Sequence, residues 1–309
     1  MKTILLASLA TIFVPLGCGS NVVRAQDALP SVEEVERKVL NYRESIDTGH
    51  VVFNAITSDN SNESQRMRYT VTFDRDLIRF SWVGGVKGTD GWGPPHVTTI
   101  AENEYFSNYP PPVSVTIDFK SRVPKIREHY QVLDPRALGM DVNSLSSIPT
   151  RGLVGLVNRA DRSKPEISNA DFEGQATWLI KYVTFGGQYV QIWIAPDQGY
   201  GLVHAETKFD SPRGLLHFSV TSKLKKYSEG DIWFPSRIEN RSTIDGKPNA
   251  QQIVEVEQAE FNAKVDPETF TLAGLGLEVG RPISDRRGNG HAQVWDGKQA
   301  VEVTLPNAP

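Results

Sequence analysis

Six histidines are the first residues to weigh for chemistry: His50, His96, His129, His204, His217 and His291. No two of them are spaced as ligands on one helix face. His204 and Glu206 fall on one face of an extended segment, and an isolated pair of this kind reads as a structural contact before it reads as a metal site. Asp118, Asp171 and Asp231 stand in unlike contexts and make no pair for glycoside hydrolysis. The chain contains no G-x-S-x-G, H-E-x-x-H, phosphate-cradling P-loop or G-x-G-x-x-G. Gly274-Leu275-Gly276 follows no strand and opens no clear helix, so it reads as a turn. The one cysteine, Cys18, lies near the start, so the rest of the chain has neither a disulfide nor thiol chemistry. The expectation is a protein that binds rather than transforms, with no catalytic residue, metal or cofactor.

Apolar rows are then the candidate functional residues. Met67, Tyr69, Val71 and Phe73 alternate with Arg68, Thr70 and Thr72, and Ile78, Phe80 and Trp82 alternate with Arg79 and Ser81. Val190, Ile192 and Ile194 form another row, and so do Leu216, Phe218 and Val220. Such rows either line a wide concavity suited to acyl chains or form core beneath helices. Arg68 and Arg79 oppose the apolar row of their own strands, so neither takes a role inside.

The elements that position these rows are mostly strands. Ser31-Val32-Glu33-Glu34 is a capping box. Val32, Val35, Val39, Tyr42 and Ile46 recur at helical spacing, which predicts one amphipathic helix over Val32–Ile46 with Glu33, Glu34, Arg37, Lys38 and Arg43 on its other face. Strand patterns follow at 50–57, 67–73, 78–82, 96–100, 113–119, 177–185, 189–195, 202–209 and 215–227. The residues at 105–112, with three consecutive prolines, read as a connection, because proline cannot lie in a central strand. Ile238, Ser242 and Ile244 share one face of a long strand, Asp245-Gly246 signals a tight hairpin, and Val254 and Val256 share one face of the return strand. Turn signals every eight to twelve residues indicate an antiparallel meander of about eleven strands. A sheet of that size tends to curl.

The segment 124–162 breaks the strand pattern. Its apolar residues, Leu138, Leu153 and Leu156 among them, suit a helical lid or a surface excursion. At the N-terminus, Lys2 and the apolar run from Ile4 to Leu16 have the form of a signal peptide, too short to span a bilayer. Val23-Arg24-Ala25 offers a cleavage point before Gln26, whereas Leu16-Gly17-Cys18 offers a lipobox with Cys18 as the lipidated residue. Either way the chain is expected to be exported to the periplasm or envelope. The formal charge of −4 carries no basic stripe, which argues against nucleic acid. No other segment is long and apolar enough for a transmembrane helix. Residues 1–25 are expected as leader, 26–285 as one domain, and 286–309 as an extension with a small hairpin.

Trp233-Phe234-Pro235, the polar-outward return strand, Asp266-Pro267-Glu268-Thr269-Phe270, Gly280 and Ile283-Ser284-Asp285 together resemble the LolA-like family of periplasmic lipoprotein carriers and RseB-type sensors. The stretch Phe270–Leu277 also looks like secreted bacterial members with this ending. The resemblance covers Val32–Asp285 as an order of elements and Trp233–Asp285 as residues. It implies an open, curved, mainly β half-barrel with an N-terminal helix on its concave face and a helical lid. It also implies lipid or lipoprotein acyl chains as partners. An envelope sensor binding protein through Trp92, Pro110-Pro111-Pro112 and the C-terminal hairpin stands as the alternative.

Overall fold

The computed structural model describes residues 29–59, 64–86, 90–102, 104–108, 115–119, 134–140, 164–184, 186–227, 232–287 and 292–303. Cys18, Leu153, Leu156 and Pro110-Pro111-Pro112 lie outside the described residues. Helix α1 (Val32–Glu44) begins at Ser31, whose hydroxyl accepts from the Glu34 amide at 3.2 Å. That bond satisfies one of the helix's orphan donors. The Glu34 carboxylate pairs with Lys38 one turn on, at 3.0 Å.

Sixteen strands follow in the described residues: β1 (Thr48–Asp59), β2 (Ser64–Asp74), β3 (Leu77–Gly84), β4 (His96–Ile100), β5 (Glu104–Asn108), β6 (Val115–Phe119), β7 (Glu166–Phe172), β8 (Gln175–Val183), β9 (Tyr189–Ala195), β10 (Gly201–Ser211), β11 (Gly214–Tyr227), β12 (Ile232–Ile244), β13 (Lys247–Phe261), β14 (Pro282–Asp285), β15 (Ala292–Trp295) and β16 (Ala300–Glu302). They form one open sheet in the order β16-β15-β14-β6-β5-β4-β3-β2-β1-β13-β12-β11-β10-β9-β8-β7. Two antiparallel meanders, β1–β6 and β7–β13, are joined where β1 pairs with β13. The expected hairpin forms at Asp245-Gly246, both with positive φ (50° and 74°), the twist that a two-residue turn between long strands requires.

Two expectations are corrected. The strand count is sixteen, not about eleven. The sheet is not wholly antiparallel, because β14 pairs parallel with β6. β15 and β16 pair as the small antiparallel hairpin expected near the C-terminus, and β15 also pairs with β14, so the hairpin extends the main sheet. The missed strands have physical reasons. Three central residues of β5, Tyr105, Phe106 and Ser107, are all buried, so no alternation marks it. β7 is an edge strand with only Ile167 and Phe172 as large apolar residues.

A sheet of sixteen strands curls through the twist between neighbouring strands. Tyr105 on β5 and Ile180 on β8 belong to one continuous buried cluster. The register places Val51, Phe53, Ala55, Val71, Phe73, Ile78, Phe80, Ile180, Ile192, Val220, Ile238 and Val254 on the inner face with the helix stripe. A second cluster lies on the outer face, where the row of Val97, Phe106, Val115 and Ile117 continues into Ile283 of β14 and Trp295 of β15 and packs with Leu275. Arg79 points to this side and donates to the Gly274 carbonyl. Gly49 is required inside: a Cβ there would lie 2.5 Å from the Phe73 ring and 2.9 Å from the Phe261 ring.

Candidate functional site

The concave face is the candidate site, and one end of it is filled. Val32, Val35, Val39 and Arg43 form the buried stripe of α1. The helix is tied to one end of the strands. The Trp233 amide donates to Tyr42 Oη at 2.6 Å, and the Asp47 amide donates to Asn262 Oδ1 at 3.0 Å. Tyr42 also lies against Gly199, where a Cβ would sit 2.3 Å from its ring. Lys38 Nζ stands 5.4 Å over Trp178. Beside the helix, the Asp134 side chain accepts from the Arg136 amide and opens a short 3-10 turn, Pro135–Ala137. This turn delivers Leu138, fully buried, and Met140 to the inner face. Gly139 passes so close to β12 that a Cβ would lie 3.2 Å from Ile238 Cδ1. Leu138, expected on a lid, is thus seated in the core beside α1.

The other end differs. Of the twelve apolar residues expected to line the concavity, Val71, Phe73, Ile78, Phe80, Val190, Ile192 and Ile194 are buried. Met67, Tyr69, Trp82, Leu216 and Phe218 are half-buried. Met67, Trp82, Leu216 and Phe218 lie towards the strand ends opposite those that hold Gly49, Phe234 and Phe261. Aromatic rings run across this part of the face in register, from Phe53 to Tyr69 to Trp82 to His96. Phe53 stacks on Tyr69 at 5.0 Å, and Trp82 stacks on His96 at 4.0 Å. Burial raises the Tyr69 phenol above its ordinary pKa. Phe218 stands opposite Ser242, which lines a cavity of about 330 Å³ with Ser58, Thr243, Asn249 and Ala250.

Sequence reasoning misplaced Arg43. It was expected on the exposed face of the helix, yet it is only 3% exposed. The signal was present: Arg43 follows Val39 by four residues, as Val39 follows Val35, so it continues the buried stripe. Arg68 lies on the outer face and pairs with Glu257 at 2.7 Å. Trp92, expected as an exposed contact, is half-buried with the Arg66 guanidinium 4.4 Å from its ring centre.

His204 and Glu206 do meet, on the outer face. His204 Nε2 lies 3.4 Å from Glu206 Oε1, and Lys208 Nζ and His217 Nε2 approach Oε2 at 3.1 and 3.5 Å. The imidazole of His204 stacks on Phe172 at 4.6 Å and its Nδ1 meets Thr221 Oγ1 at 2.9 Å. Burial lowers the His204 pKa below its ordinary 6.5, against the pull of Glu206. The folded state therefore holds the ring neutral while the unfolded chain protonates it. Its contribution to stability is full above 6.5 and is lost as pH falls through the lower folded value. Urea midpoints are expected to fall on acidification from 6.5 down to that lower value, and His204→Gln is expected to make the fall shallower. An unchanged slope in the variant would assign the pH dependence to other groups.

No protein family matches the sequence, and no curated protein does. Among solved structures, the chain is similar to a domain proposed as an outer membrane lipoprotein-sorting protein from Vibrio parahaemolyticus, with 11% identity, a TM-score of 0.47, and coverage of 79% of this chain and 97% of that one. It is also similar to a LolA superfamily protein from Nitrosomonas europaea (12% identity, TM-score 0.44, 79% and 98% covered). A DUF1329 family protein from Desulfovibrio piger is a third (9% identity, TM-score 0.47, 80% and 100% covered). At TM-scores below 0.5 these likenesses carry no functional argument. The architecture rests on the strand order and register of the chain itself.

Proposed function

We propose that this chain is an exported, non-enzymatic binding protein of LolA-like build that holds an acyl chain, a lipid or the lipid portion of a lipoprotein against the concave face of its sheet. The observation that carries the reading is the contrast between the two ends of that face. Helix α1 and Leu138 fill one end, while Met67, Tyr69, Trp82, Leu216 and Phe218 are only half-buried towards the other. A row of large apolar side chains that the fold leaves partly uncovered is a surface on which methylenes gain by burial. The order of elements, a capped N-terminal helix on the inner face of an open curved sheet, is the one that the Trp233–Asp285 resemblance implied. The leader supports an envelope location.

Each buried methylene is worth about 0.8 kcal/mol, so adding two carbons to a bound chain is expected to strengthen binding about tenfold. Titration of Trp fluorescence with alkyl chains of increasing length measures this. Leu216→Glu with Phe218→Glu is expected to abolish the chain-length dependence with little change in melting temperature, because both sites are half-buried. Native mass spectrometry of protein from its source is expected to find a co-purified amphiphile. A protein that is always empty and binds no chain of any length would sink the reading.

A further inference from the structure

Position 43 calls for a leucine or a methionine. It is the fourth member of the stripe Val32, Val35, Val39, and that stripe packs into the inner face of the sheet. The sequence places an arginine there. Its guanidinium carbon stands 5.5 Å over the ring of Phe234, which is itself fully buried and packs against Phe261 at 4.8 Å. Nε, Nη1 and Nη2 of Arg43 are all buried without a hydrogen-bond partner. A guanidinium carries five N–H donors in a fixed fork, and leaving such a group buried and unsatisfied costs free energy that an apolar residue would not. The nearby carboxylate of Asp134 attracts the charge but gives Arg43 no hydrogen bond. Asp134 is committed to Arg136, whose Nε and Nη2 reach its two carboxylate oxygens at 2.9 Å each. Arg136 in turn donates to the Arg75 carbonyl at 3.0 Å. Burial lowers the Arg43 pKa to about 10, which leaves it charged at neutral pH.

We propose that Arg43 anchors the anionic headgroup of a bound single-chain amphiphile, a carboxylate or a phosphate monoester, at the helix end of the concave face. The fork of donors matches two oxygens of such a group. The tail runs along the inner face towards Phe218, which the fold leaves half-buried. This rests on the carrier reading above and adds to it the polarity and the charge of the ligand.

The test uses the full chain and four probes: laurate, dodecyl phosphate, dodecanol and inorganic phosphate. Calorimetric titration is expected to show the two charged amphiphiles binding at least about tenfold more tightly than dodecanol, as a charge-assisted contact implies. Arg43→Met is expected to remove that difference. Arg43→Lys is expected to restore part of it, since charge returns without the fork. Free of ligand, Arg43→Met is expected to melt higher than the parent, which a purely structural arginine would not allow. Equal binding of laurate and dodecanol by the parent, or discrimination that persists in Arg43→Met, overturns the anchor and leaves the carrier reading intact. Binding of inorganic phosphate alone overturns the amphiphile as its ligand. Failure of every amphiphile to bind overturns both readings. Should Arg43→Met fail to fold, the parent and Arg43→Lys still decide: laurate and dodecyl phosphate bound no more weakly by the lysine variant than by the parent would overturn the anchor.

Discussion

Phe53→Ala is expected to lower the free energy of unfolding by about 3–5 kcal/mol, the range for deleting a large aromatic side chain from a core that cannot fully collapse. Phe53 is fully buried on β1, the strand that joins the two meanders. It stacks on Tyr69, and its neighbours along the strand, Val51 and Ala55, are buried as well. A cavity here weakens the β1–β13 seam, on which the continuity of the whole sheet depends. Chemical denaturation followed by circular dichroism measures the loss. A change below about 1 kcal/mol would mean that the inner face repacks freely at this point.

The second large effect is expected from a charge on the helix stripe. Val35→Asp puts a carboxylate at a position that is 1% exposed and belongs to the apolar cluster of helix stripe and sheet. An unpaired buried charge costs several kcal/mol, about 3–5 by analogy with broken buried pairs. Val39→Asp is equally buried, but its carboxylate would stand four residues before Arg43, within reach of a guanidinium that lacks a partner. It is expected to cost markedly less than Val35→Asp. Thermal melts of the two variants decide this. Equal losses would show that the Arg43 guanidinium cannot be reached from its own helix.

Much of the fold was legible in local pattern. Ser31 marked the start of α1, and alternation along β2 and β3 placed Met67 to Phe73 and Ile78 to Trp82 on one face, as the register shows. Asp245-Gly246 marked the turn of the longest hairpin because only certain residues accept two successive positive φ values cheaply. β5 escaped because a strand covered on both faces has no alternation to read. The parallel partner of β14 escaped because nothing in four residues says which distant edge they will meet.

The site divides along the same line. The sequence by itself determined which side chains share a face, because a strand puts every second residue on one side and a helix returns every third or fourth. It determined the apolar rows, the outward aim of Arg68 and the pairing of His204 with Glu206 by those periods alone. Only the tertiary structure decided which half of each row is sealed and which is left half-covered. That depends on where α1 and Leu138 settle on a sheet whose curvature arises from the twist of sixteen strands. It also decided the fate of Arg43. Helical spacing leaves Tyr42 and Arg43 as neighbours on the border of the stripe. Docking against Phe234 and Trp233 sends the tyrosine to a backbone amide and the arginine into the core. The rotation of a helix about its own axis is fixed by the surface that receives it, and that surface is assembled from strands more than a hundred residues away.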